Sequence, residues 1–261
     1  MSSSSSRPFI LISNDDGYKA PGINFLIDVL RPIADLVVVA PKGSRSGFGC
    51  AITVTQPIHC KLVRQEEGLD LYACTGSPVD CVKLFFNVLK RNYNRLPDLV
   101  VSGINHGDNS SVNTFYSGTM GAASEGVMQG VPGIGFSYDN FSTSVDMSPC
   151  APHIINIVQQ VFRDGLPPLS TLNVNFPNTS DIQGVKLCRM ARSRWINEME
   201  ERVRPRTNAP YYWLTGEPLE LEPEAEDTDR WALAHGFVAI TPQTLDATNY
   251  ALLQQLQSQL R

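Results

Sequence analysis

The chain has 261 residues, 42% of them hydrophobic, and its 21 basic and 26 acidic side chains leave a net charge of −5. That is enough material for one large α/β domain or a domain with an appendage, and it excludes wholesale disorder. The acidic balance argues against nucleic acid as a partner, and no apolar run approaches the ~20 residues of a membrane-spanning helix.

Residues 1–7, with a five-serine run, are expected to be a mobile tail and lack the apolar core of a signal peptide. Residues 8–13 form a short run rich in apolar residues, too short for a helix, and predict a first buried strand that stops at Asn14-Asp15-Asp16-Gly17. Ile23, Leu26, Ile27 and Leu30 then mark one face of a helix running to about Arg31, and 35–41 is a second apolar strand ended by Pro41. A strand, a helical crossover and a second strand imply a parallel sheet covered on both faces. A Gly/Ser-rich loop, 42–49, follows at the same edge as the two acids. Segments 50–55, 58–64 and 69–74 read as short strands, in part an antiparallel excursion. Ser77-Pro78 reads as the N-cap and first position of a helix carrying Val79, Val82, Leu84, Phe85, Phe86 and Leu89.

Residues 97–102 predict a third strand of the same type, ending in the polar cluster 103–111. Small residues from Tyr116 to Gly126 read as a helix start packed close to a neighbour or an anion. Strands at 134–138 and 171–176 flank a helix over 150–163. From about 182 the chain turns polar, with an acidic run from Glu217 to Asp229 expected as a solvated loop. A last strand at 237–241 and a helix from Asn249 bearing Leu253, Leu256 and Leu260 close the chain. We divide it into the tail 1–7, a core 8–181 and an extension 182–261 of the same domain. The six cysteines form no C-x-x-C pair and stand at no zinc spacing from a histidine, which reads as reduced thiols in a cytoplasmic protein.

Three strands of one parallel sheet thus end in polar loops, and right-handed crossovers bring those loops to one edge. They offer mainly oxygen: the Asp15 and Asp16 carboxylates, the Ser44 and Ser46 hydroxyls, and the Asn14, Asn105 and Asn109 amides. Adjacent acids repel unless a cation offsets them, and an oxygen-only set suits magnesium, manganese or calcium rather than zinc. Ser117-Gly118-Thr119, leading into a helix, offers N–H groups and hydroxyls to an anion. Cation and anion together suggest a phosphate ester. Each piece alone has a plainer account: Asn-Asp-Gly is common turn material, and the 42–49 loop matches neither a dinucleotide fingerprint nor a P-loop.

Taken together, these residues resemble the SurE survival-protein family of metal-dependent nucleotidases. The resemblance rests on Ile12-Ser-Asn-Asp-Asp-Gly-Tyr18, Arg45-Ser-Gly47, Thr75-Gly-Ser-Pro-Val-Asp80, Asp98-Leu-Val-Val-Ser-Gly-Ile-Asn-His-Gly-Asp-Asn109 and Tyr116-Ser-Gly-Thr-Met-Gly-Ala-Ala123. Tyr212-Trp-Leu-Thr-Gly216, Thr228-Asp229 and Gly236-Phe-Val-Ala-Ile-Thr-Pro242 extend it to about residue 249. It implies a Rossmann-like, three-layer α/β fold with a mostly parallel sheet, and a C-terminal extension used to form a homodimer or homotetramer. It implies one divalent cation, Mg²⁺ or Mn²⁺, held by Asp15, Asp16, Ser46 and Asn105, with Asp15 and Asp16 catalytic. The phosphate of a nucleoside 5′- or 3′-monophosphate would meet Asn14, Asn105, Ser117, Gly118 and Thr119, and some members also shorten polyphosphate.

Two other readings compete. An aspartyl-phosphate phosphatase also places acids after its first strand, but with an Asp-x-Asp spacing and one acid as nucleophile. A phospho-receiver or nucleotide-binding module would carry an isolated acid at a later strand end, and none follows the 35–40 or 98–102 strands.

Overall fold

The computed structural model describes residues 7–260; the expected mobile tail 1–7 lies outside them except for Arg7, whose guanidinium pairs with Asp35 at 3.6 Å. In chain order, β1 (Phe9–Ser13), α1 (Pro21–Leu30) and β2 (Asp35–Pro41) form the first βαβ unit, followed by β3 (Cys60–Glu66) and β4 (Leu69–Cys74). α2 (Pro78–Asn87), β5 (Leu99–His106), α3 (Gly118–Met128), β6 (Gly133–Tyr138), α4 (Ala151–Asp164) and β7 (Ser170–Phe176) complete the alternation. Then come β8 (Gly184–Leu187), β9 (Ser193–Ile196), β10 (Met199–Val203), β11 (Pro210–Leu214), β12 (Glu217–Glu220), α5 (Asp229–Ala234), β13 (Phe237–Thr244) and α6 (Tyr250–Gln259).

Nine of these strands form one sheet in the order β3-β4-β2-β1-β5-β6-β7-β13-β8. From β4 to β7 every neighbouring pair is parallel, whereas β3 and β13 run antiparallel to β4 and β7. The strands wind outward from β1 through β2 to β4 on one side, and from β5 through β6 to β7 on the other. The order therefore reverses between β1 and β5, the place where doubly wound sheets open a crevice for ligands. This is a Rossmann-like, three-layer α/β fold with a mostly parallel central sheet.

The continuous apolar character of β1 follows from having a core on each face. Ile10 and Ile12 pack with Ile23, Leu26 and Ile27 of α1 and Ile154 and Val158 of α4. Phe9 and Leu11 pack on the other side with Val82, Phe85 and Phe86 of α2 and Ala122 of α3. α2 starts as expected at Ser77, which forms a reciprocal capping box with Asp80 behind Pro78.

Three expectations differ from the structure. Residues 50–55 are not a strand: their polar groups go to the start of α2, where Thr53 donates its N–H and hydroxyl to Asp80 and Ala51 accepts from the Ser77 hydroxyl at 2.6 Å. The third parallel strand does not stop at 102 but continues to His106 across a register shift between Ser102 and Asn105, at the cis Gly103–Ile104 peptide. The acidic run 217–229 is not simply a solvated loop. It contains β12, paired with β9, and ends in the buried Thr228 and Asp229 that open α5. Beyond residue 181, β8 and β13 join the central sheet, while β10 and β11 pair only with each other. Among the described residues no helix is long and apolar enough to cross a membrane.

α1 enters directly against the far part of β5. A Cβ on Gly22 would lie 2.0 Å from the Ile104 carbonyl oxygen, a backbone atom that cannot swing away. Gly22→Ala should therefore lower unfolding stability by about 2–3 kcal/mol, in the range of overpacked sites, read as a lower urea midpoint. An unchanged midpoint would show that this close approach is absent in solution.

Candidate active site

The turn after β1 is closed by Asn14. Its Oδ1 accepts the Gly17 N–H at 3.2 Å and its Nδ2 donates to the Gly17 carbonyl at 3.0 Å. The amide is thus spent largely on shaping the turn, a usual task for asparagine, and the turn sets out the two acids in different surroundings. Asp15 is buried, and its Oδ1 accepts the Thr119 hydroxyl at 2.6 Å. Asp16 is half-buried, and its Oδ2 accepts the His106 N–H at 3.3 Å. Burial pushes the Asp15 carboxyl up to about 6, against the Thr119 hydrogen bond and with the Asp16 charge adding to it. Burial raises Asp16 as well. Among the described residues neither acid has an ion-pair partner.

α3 brings its first turn onto Asp15. Ser117 caps the helix by accepting the Met120 N–H at 3.0 Å, and its own hydroxyl hydrogen remains available. Gly118 is pressed so close that a Cβ there would meet Asp15 Cβ at 2.8 Å. This contact explains the small residues at the start of α3. The Thr119 hydroxyl and the Gly118 N–H go to Asp15 and the Met120 N–H to Ser117, so α3 presents to an anion the Thr119 N–H and the Ser117 hydroxyl.

The other two loops reach the same place by different means. His106 ties the end of β5 to Asp16, and the neighbouring Asn105 donates Nδ2 to the Gly107 carbonyl at 2.7 Å, which leaves its Oδ1 uncommitted. The 42–49 loop is drawn in by its backbone: the Arg45 N–H donates to the Asp15 carbonyl at 2.6 Å, and the Arg45 guanidinium to the Thr75 carbonyl at 2.8 Å. Ser46 stands beside Arg45, but it is exposed and its hydroxyl is paired with that of Ser44 at 2.9 Å. Asp15, Asp16, Asn14, Asn105 and the Ser117–Thr119 turn are therefore joined by contacts or by adjacent residues, whereas no hydrogen bond ties Ser46 to the acids.

This donor set suits a hard divalent cation. Two desolvated carboxylates without a counter-charge and a free amide oxygen are what such an ion takes, and among the described residues no cluster of three or more His, Cys, Asp or Glu side chains offers a softer site.

Sequence reasoning missed the scaffold that holds the 107–111 loop. Asn109 donates its N–H to Asn175 at 2.7 Å and its amide to the Ser137 hydroxyl at 2.8 Å, while Asn173 donates to the Asn109 carbonyl at 2.8 Å. The alternation that places Asn173 and Asn175 on one face of a central strand held the signal, because buried amides there must find partners. The role of Asp229, quoted above as part of the resemblance, is the second omission. Fully buried, Asp229 accepts the N–H groups of Ser111 at 2.8 Å, Ala191 at 2.9 Å and Arg230 at 2.9 Å, and so pins the extension to the site loop. Beside it the Arg230 guanidinium meets Asp108 at 3.3 Å and Glu220 at 3.0 Å.

The family described as survival protein SurE matches residues 10–197. The chain is 50% identical over 252 residues to a Bacteroides fragilis protein named 5′-nucleotidase SurE, covering 97% of each. It is 44% identical over 255 residues to a Flavobacterium psychrophilum protein of the same name, covering 96% of this chain and 97% of that one. The crystal structure of the SurE protein from Aquifex aeolicus is similar with a TM-score of 0.81 at 35% identity, covering 97% of this chain and 100% of that one.

The raised Asp15 carboxyl has a consequence for the metal-free protein. Its value of about 6, against 3.8 ordinarily, means that ionisation costs more in the folded state. Stability should fall as pH rises from about 4 through about 6, by about 3 kcal/mol, and level off above. Asp15→Asn removes that loss and keeps an oxygen for the Thr119 hydroxyl. In EDTA the variant should melt higher than the parent at pH 8, with the gap closing near pH 4. A parent melting above the variant at pH 8 would contradict this account.

Proposed function

We infer the reaction from a plain premise: this chain belongs to the survival protein SurE family. We propose that it is a 5′-nucleotidase, a phosphomonoesterase that releases inorganic phosphate from nucleoside 5′-monophosphates. The observation that carries the reading is the pair Asp15 and Asp16, uncompensated by any basic side chain among the described residues and facing the first turn of α3 at the switch point of the sheet.

In this reading Asp15, Asp16, Asn105 and Ser46 hold one divalent cation, Mg²⁺ or Mn²⁺. When bound, such an ion neutralises phosphoryl charge as a Lewis acid and lowers the pKa of a coordinated water. The two acids differ in what they are free to do. Asp15 is enclosed and gripped by Thr119, so it binds. Asp16 is half-buried and has an uncommitted Oδ1, so it takes the proton of the attacking water. The water oxygen bonds to phosphorus as the bond to the nucleoside oxygen breaks, and that oxygen leaves as the alcohol with a proton from solvent. Asn14, Asn105, Ser117, Gly118 and Thr119 receive the phosphate, and the first-turn Thr119 N–H stabilises the charge that builds on its oxygens.

All of these contacts are to phosphate and none to sugar or base. We extend the reading accordingly to 3′-monophosphates and to the terminal phosphate of polyphosphate as slower substrates. The six free cysteines support a reducing, cytoplasmic setting. Phosphate release from 5′-AMP should be abolished by EDTA and restored by Mg²⁺ or Mn²⁺. Asp16→Asn should lower kcat by about 100-fold or more, the usual cost of losing one group that acts in the transition state, while isothermal titration still detects the metal. Asp15→Asn should weaken metal binding itself. Near-parental turnover in both variants would overturn the assignment.

We further assign the C-terminal extension to subunit contact in a homodimer or homotetramer. α6 buries no residue and leaves Leu252, Leu253 and Leu256 exposed, and the β10–β11 hairpin exposes Tyr212, Trp213 and Leu214. An isolated two-stranded hairpin is marginal in water, and leucines at helical spacing favour burial against a second copy. Light scattering should give an oligomer for the parent and a smaller mass for the Leu253→Asp, Leu256→Asp double variant. A monomeric parent would refute the assignment.

A further inference from the structure

Three of the six cysteines meet where the β3–β4 pair begins, away from the acids and the phosphate turn. Cys60 of β3 and Cys74 of β4 are directly opposed in the antiparallel register. Cys81 approaches the same sulfur from α2. Neither the reaction nor the metal site uses any of them.

The kind of pairing decides what Cys60 and Cys74 can do. At the adjacent position Thr75 donates its N–H to the His59 carbonyl at 2.9 Å. Hydrogen-bonded and non-hydrogen-bonded pairs alternate along an antiparallel ladder, so Cys60 and Cys74 form a non-hydrogen-bonded pair. The Cys74 carbonyl agrees with this: it points away from β3 and accepts the Lys42 N–H at 2.6 Å. In such pairs the Cα atoms lie about 4.5 Å apart with both side chains on one face. That spacing falls within the span of about 4.4–6.8 Å that a disulfide accepts without moving the backbone. The two thiols differ in reach. β3 is an edge strand and Cys60 is partly exposed, whereas Cys74 is fully buried. The Cys74 sulfur accepts the Gly76 N–H at 3.4 Å, and with the Cys60 and Cys81 thiols beside it Cys74 is held below the usual thiol range while Cys60 is pushed above it.

We propose that Cys60 and Cys74 are a modification site that closes into a reversible intramolecular disulfide when the protein meets a low-molecular-weight disulfide such as oxidised glutathione. Cys60, the thiol that solvent reaches, attacks one sulfur of the small disulfide and expels the other as a thiol that carries the Cys60 proton. The Cys74 thiol then attacks the Cys60 sulfur and expels the second small thiol, which leaves with the proton that Cys74 gives up. Two protein thiols are oxidised and one small disulfide is reduced to two thiols. The bond would join the edge strand to β4 one residue before Thr75, whose carbonyl holds Arg45 in the 42–49 loop. Cys81, buried on α2, lies beyond the reach of the reagent.

The test is exposure of the native full-length protein to oxidised glutathione, followed by alkylation, proteolysis without reductant and mass spectrometry. The expected result is a Cys60 peptide joined to a Cys74 peptide in most chains, absent after dithiothreitol. Cys60→Ser, a partly exposed position remote from the acids, should abolish the crosslink entirely. Cys74→Ser should leave Cys60 carrying a stable glutathione adduct. The proposal is overturned if Cys60 in the parent protein retains an adduct without crosslinking. It is equally overturned if Cys74 joins Cys81 instead, or if Cys60 and Cys74 are both recovered as free thiols.

Discussion

The structure is organised around one electrostatic constraint: two adjacent carboxylates at the end of a strand that is buried on both faces. β1 cannot turn them toward open solvent without exposing its apolar residues, and each side of the sheet carries its own core. The constraint is met by division. Asp15 goes inward, where the Thr119 hydroxyl and the backbone of Gly118 enclose it, and Asp16 stays at the rim against the His106 N–H. Burial raises both carboxyls, so the protein holds a latent demand for positive charge that no basic side chain among the described residues meets. A site that stores this demand gives up stability in the metal-free state, which is the usual relation between a functional centre and its fold.

Support for that centre comes from buried amides and from one distant acid. The Asn109, Asn173, Asn175 and Ser137 network joins the 107–111 loop to β6 and β7 through hydrogen-bonded polar groups. A buried network of this kind rigidifies when every member finds a partner. Asp229, more than a hundred residues further along the chain, satisfies three backbone N–H groups at once. Through it the extension that carries β8 to α6 is bound to the loop that follows Asn105. The extension to which we assign subunit contact is therefore tied to that loop by hydrogen bonds from backbone N–H groups. The Cys60–Cys74 pair lies on the edge-strand side of the sheet, behind the 42–49 loop, and is linked to that loop by the Lys42 N–H on the Cys74 carbonyl and by Arg45 on the neighbouring Thr75.

The sequence by itself determined the elements whose pattern is local and strong. The continuous apolar strands at 8–13 and 35–41, the Ser77-Pro78 helix start and the amphipathic helix at 150–163 follow from periodicity and capping, which depend on near neighbours in the chain. It also determined that the acids, the 42–49 loop and the 103–111 loop share an edge, because the handedness of βαβ crossovers leaves little choice. Only the tertiary structure decided where contacts between distant segments outweigh local preference. Residues 50–55 have strand composition but give their hydrogen bonds to Asp80 and Ser77. Asp229 sits in an acidic run and is nonetheless fully buried, because the N–H groups of Ser111, Ala191 and Arg230 converge on it. The different surroundings of the two adjacent acids were likewise invisible in sequence, since Asp15 and Asp16 are the same residue type one position apart. What separates them is the first turn of α3, more than a hundred positions away, which closes over one carboxylate and leaves the other at the rim.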